Sequence, residues 1–181
     1  MPSVVDLRVE IDSDDWRPGG IWIRDGVLSG YVTLRLRGHR VIDYRAVGLN
    51  NSAIALVRSA LGHHTAATEA TALSAPWPLF FCSGGLRNRC GVVIDFAVEH
   101  HDRNVVLSRF YGCDATAPRE VVVPWRSWAR AALSFATAVR RRCPPEKRGI
   151  SARYLPMYRR YRTDLGLLVK NLQRAMVHRA G

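Results

Sequence analysis

Along this chain the spacing of apolar residues changes period several times, and that order of periods most restricts what it can fold into. The runs VVDLRVEID (4–12) and YVTLRLRGHRVIDYRAV (31–47) alternate apolar with polar residues, the period of a strand with one buried face. Val32, Leu34 and Leu36 fall on one face and Thr33, Arg35 and Arg37 on the other, with Gly38-His39 at the place of a hairpin turn. Between these runs RPGG punctuates the chain, and IWIRDG reads as a short strand ended by Asp25-Gly26. The opening is a β meander.

NNSAIALVRSALG then shifts to helical spacing, with Ile54, Val57, Ala60 and Leu61 as its stripe. Asn50, Asn51 or Ser52 would cap its free N–H groups, and Gly62 would end it in the left-handed conformation. HHTAATEATALSAPWP has no clear period and reads as a loop. Alternation returns in PLFFCS and in GVVIDFAVE, where Val92, Ile94, Phe96 and Val98 share one face. Val93, Asp95, Ala97 and Glu99 share the other, expected to be half exposed. HHDRN is expected to turn the chain as a five-residue loop into VVLSRFY, and VVV (121–123) adds a strand. Pro124 suits a helix start, since its missing N–H costs nothing there. Trp128, Ala131, Ala132, Phe135 and Val139 then mark a helix that Pro144-Pro145 stops. A last helix is expected from about Leu155 to His178, lined by Tyr158, Tyr161, Leu165, Leu168, Val169, Leu172 and Met176. The predicted fold is α+β: a mostly antiparallel sheet, meander plus central hairpin, with helices on one face and a basic C-terminal helix. The boundary is placed between a core at 1–143 and a basic helical extension at 144–181, packed on that core or projecting from it.

Charge is unevenly shared. Of the net +12, residues 140–181 carry +10 and the preceding 139 residues only +2. Twenty-five of the 27 cations are arginine, which pairs in bidentate fashion with carboxylate or phosphate. The acidic, alternating start MPSVVDLRVEIDSDD is unlike a secretory signal, and no apolar run approaches the roughly 18 residues of a membrane span. A cytoplasmic protein with reduced thiols at Cys82, Cys90, Cys113 and Cys143 is the expectation.

The loop CSGGLRNRC (82–90) raises three chemistries. Structural zinc takes its thiols from short knuckles, and here seven residues separate Cys82 from Cys90. His100 and His101 lie at the far end of a strand roughly 30 Å long, so no metal and no cofactor is expected. A phosphate loop needs Lys followed by Ser or Thr opening a helix, whereas this loop leads into a strand. Arg87 and Arg89 remain a candidate anion-binding pair. No nucleophile elbow is present, and His63-His64 and His100-His101-Asp102 fall in expected turns. No catalytic residue is assigned, and the loop is read as a corner between two strands.

The segment PLFFCSGGLRNRCGVVIDFAVEHHDRNVVLSRF, followed by VVVPWRSWARAALSFATAV, resembles a group of small bacterial α+β proteins. Their pattern is a strand ending in Phe-x-Cys, a glycine-rich connection ending in Cys-Gly, a hairpin, and a helix introduced by an aromatic residue. Several are similar to immunity proteins encoded beside polymorphic or contact-dependent toxins. The usual loop has a further Cys and often an acid, where this chain has Gly84, Gly85, Arg87 and Arg89. The resemblance implies a non-catalytic protein-binding module that neutralises a toxin.

The surface expected to bind comprises Arg140, Arg141, Arg142, Arg153, Tyr158, Arg159, Arg160, Arg162, Lys170 and Arg174, facing an acidic protein partner. The alternative is nucleic acid, because arginines interleave with tyrosines in RYLPMYRRYR as backbone contacts plus base stacking require. An anionic membrane surface is a third reading of the same helix.

Overall fold

The computed structural model describes residues 4–10, 29–66, 78–81, 93–142 and 155–179. The fold is α+β, and its strands divide into two antiparallel sheets rather than forming the single sheet expected. In the first, β1 (Val5–Glu10), β2 (Ser29–Leu36) and β3 (His39–Gly48) lie in chain order. Val32, Leu34 and Leu36 are buried, as their alternation predicts. The β2–β3 turn falls one residue earlier than Gly38-His39: Arg37 and Gly38 both have positive φ, 48° and 85°, the twist that suits a two-residue hairpin. The pairing of β2 with β3 shifts register on both sides of Leu34, so Val41 and Ile42 are buried together and Asp43 to Ala46 are all exposed.

Helix α1 (Leu49–Leu61) is capped differently from the expectation. Gly48 takes the N-cap position with no side-chain cap, while Ser52 Oγ donates to the Gly48 carbonyl at 2.9 Å. Gly62 ends the helix extended at φ −160° rather than left-handed. The reason lies downstream: the chain must run straight on so that His64 can pair with Val98 on the edge of the second sheet. The terminal carbonyls of α1 are met by side chains instead. Trp125 Nε1 donates to Ala60 O at 2.8 Å, and His100 Nε2 lies 2.8 Å from Ser59 O. Because α1 packs against β2, β3, β4 and both later helices, Ala53, Leu56, Ser52 and Ser59 are buried along with Val57 and Ala60. The stripe read from spacing was too narrow for so central a helix.

The second sheet runs β4 (Phe80–Phe81), β5 (Val93–His101), β6 (Asn104–Tyr111) and β7 (Glu120–Pro124). The β5–β6 turn has two residues, Asp102 and Arg103, instead of five, so His100 and His101 belong to the strand. Cross-links join the two sheets. Asp114 N donates to Val41 O at 3.0 Å, and Arg37 Nε donates to Val122 O at 2.6 Å.

Helix α2 (Trp125–Arg142) begins directly after Pro124, and α3 spans Leu155–His178. Trp128 and Phe135 from α2 meet Phe96 and Phe80 edge-on across the core. Tyr158, Tyr161, Leu165, Val169 and Leu172 of α3 enter that same core, which both sheets share. Burying Leu165, Val169 and Leu172 stabilises the docked helix by about 1.5–3 kcal/mol each. Arg179 lies over the Trp125 ring, 4.6 Å from its centre, so the end of α3 meets the start of α2. Among the described residues no helix is long and apolar enough to cross a membrane.

Candidate functional site

Helices α2 and α3 pack against each other, and each carries arginines on its exposed surface. Arg140, Arg141 and Arg142 are exposed on α2, where a helix C-terminus favours cations. On α3 Arg159 and Arg160 are exposed and Arg162 is half-buried, in a helix with no acid in its first turn. Arg160 Nε lies 3.8 Å from Asp164 Oδ2, an exposed pair of small energetic weight. Arg159 and Arg162 also take part in interactions within the chain. Farther along α3, Lys170 and Arg174 extend the cationic face.

Tyr158 does not belong to this surface. Its side chain is 3% exposed and Tyr161 is 9% exposed, the two rings packed 6.4 Å apart under the helix. Burial of the apolar stripe and exposure of the arginines are two sides of one amphipathic helix. The interleaving therefore separates in space within residues 158–161: Arg159 and Arg160 outward, Tyr158 and Tyr161 inward. Arg153, Arg87, Arg89, Cys82, Cys90 and Cys143 lie outside the described residues.

Sequence reasoning missed a buried polar pair. Asp95 and His64, expected on a half-exposed face and in a turn, are 0% and 8% exposed, with His64 Nε2 2.8 Å from Asp95 Oδ1. The same carboxylate oxygen accepts from Leu79 N at 3.0 Å. A carboxylate in an otherwise apolar strand, GVVIDFAVE, was the available signal, since such a group when buried must find donors. It ties the 62–66 segment and the entry to β4 onto β5. Cys113 is half-buried, and its thiol is pushed up to about 12 by burial and then by the negative charges of Asp114 and Asp95. A thiol so held stays protonated at neutral pH, the wrong state for a nucleophile or a metal ligand. Among the described residues, no three His, Cys, Asp or Glu side chains are grouped to hold a metal ion.

No family model, no curated protein and no solved structure matches the chain. The class defined by the fold is thus α+β, with two antiparallel sheets and three helices sharing one core among the described residues.

Proposed function

We propose that the protein is a non-catalytic binding module that engages an acidic protein partner through the arginine-rich surface of α2 and α3. Its specific form would be an immunity-type protein that neutralises a toxin. The observation that supports this reading is the exposure of Arg140, Arg141 and Arg142 on α2 and of Arg159 and Arg160 on α3, two helices that pack against each other. Arginine forks placed on rigid helices match carboxylates with little loss of side-chain freedom. Burial of Tyr158 and Tyr161 withdraws two of the three tyrosines of RYLPMYRRYR from base stacking, which favours a protein partner over single-stranded nucleic acid.

Capture from lysate of the native host, with and without nuclease, tests the proposal. The bait is the full chain beside a variant carrying Arg140→Glu, Arg141→Glu, Arg142→Glu and Arg160→Glu. The expected result is an acidic protein retained regardless of nuclease, weakened by salt, and lost from the variant. The variant's thermal midpoint should stay close to the parent's, since exposed substitutions usually cost within about 0.5 kcal/mol each. Capture that disappears with nuclease would transfer the site to nucleic acid, and retention by the variant would remove the arginines from it.

A further inference from the structure

The outer face of the first sheet carries a second feature, on the side of β1–β3 away from the core. A groove of about 620 Å³ opens there, with Tyr31 and Tyr44 in its wall. Their rings are stacked nearly parallel, 5° apart in tilt and 4.4 Å between centres. Tyr44 is 53% exposed and sits at φ +47°, where a bulky side chain is an outlier and glycine would be at ease. It occupies the stretch where β3 slips register against β2, and irregularities of this kind re-aim side chains. The fold thus holds a large ring at the surface in a backbone conformation that does nothing for the core.

Two of the carboxylates around the rings, Asp6 and Asp43, are already paired. Arg8 grips Asp6 through two contacts, Nε to Oδ1 at 3.0 Å and Nη2 to Oδ2 at 2.9 Å. Arg40 Nη1 holds Asp43 Oδ2 at 2.9 Å. With Glu10 and Arg35 also in the lining, carboxylates and guanidinium groups are nearly balanced. An anion would face Asp6, Glu10 and Asp43, and a cation would face Arg8 and Arg35. A hydroxyl group, donor and acceptor at once, fits such pairs without unbalancing them. An aromatic face beside fixed donors and acceptors matches a ligand with one apolar face and a rim of hydroxyls.

We propose that this groove binds a neutral saccharide, with one sugar ring against the Tyr44–Tyr31 stack and its hydroxyls bonded to the Asp6–Arg8 pair and the Asp43 carboxylate. The site lies on the sheet, apart from the arginine surface, and is independent of what that surface binds.

Calorimetric titration of the full chain with cellotriose, maltotriose and triacetylchitotriose tests it, with adenosine and N-acetylarginine amide as comparison ligands. Saturable binding of at least one trisaccharide is expected, weakened about ten-fold or more in Tyr44→Gly and in Tyr44→Asn. Both variants relieve the positive φ, so their thermal midpoints should equal or exceed the parent's. No binding of any trisaccharide overturns the proposal, as does binding of adenosine or the arginine amide in their place. Lower midpoints in both variants would make the ring a structural element and overturn it as well.

Discussion

His100 sits where α1 ends, its Nε2 at 2.8 Å from Ser59 O and its backbone N–H donating to His63 Nδ1 at 3.2 Å. Burial lowers its pKa from 6.5, the bond to Ser59 opposes that shift, and the nearby His63 and Arg179 add to it. A histidine whose folded pKa is depressed favours the neutral form in the native state. Its contribution is whole above the unfolded value of 6.5 and is lost as pH falls through the lower folded value. His100→Gln keeps a donor for Ser59 O without the titrating ring. The variant's thermal midpoint should therefore vary less than the parent's between about pH 7 and 5. Equal slopes in the two proteins would show that His100 has no part in the acid response.

At the scale of the element, two glycines with positive φ separate two kinds of constraint. Gly112, just beyond β6, has φ +64°, and a Cβ there would collide with the Val93 carbonyl oxygen on β5. Gly38, in the β2–β3 turn, has φ +85° with open space where its Cβ would stand. Gly38→Ala should cost only the left-handed conformational term, about 1–2 kcal/mol. Gly112→Ala adds a backbone collision that must push β5 and β6 apart, so its cost should exceed about 2 kcal/mol. Urea denaturation of both variants measures the difference, and equal costs would mean that β6 shifts freely to make room.

For the molecule as a whole, α3 is the element whose role most needed the structure. A cationic appendage on a nearly neutral globule is what the charge distribution suggests, yet Leu165, Val169 and Leu172 share the core of both sheets. Leu165 is 1% exposed, and Leu165→Ala should cost about 2–5 kcal/mol in a single transition. Helicity by circular dichroism and tryptophan emission should fall together on heating. Two separated transitions would mean that α3 folds apart from the rest.

The two long helices Trp125–Arg142 and Leu155–His178 were legible because each sustains its period for several turns between strong punctuation. Among the described residues the strands were legible by alternation, and so was the inward set Ile94, Phe96 and Val98, while the IWIRDG strand lies outside the described residues. The turn lengths were less so: HHDRN is polar throughout, but His100 is pinned in β5 by Ser59 and His63, residues near sixty in sequence that only folding brings close. The arginines of the proposed site were visible as a charge excess, whereas which of them stay exposed depends on how α2 and α3 pack. Local periodicity and charge are properties of neighbouring residues, so the sequence alone determined the kinds of element and the cationic character of the last 42 residues. The division into two sheets, the burial of Tyr158 and Asp95, the Tyr31–Tyr44 stack and the packing of α2 against α3 were decided by tertiary structure. Each of these is a contact between distant segments, and its free energy exists only once the shared core has excluded water.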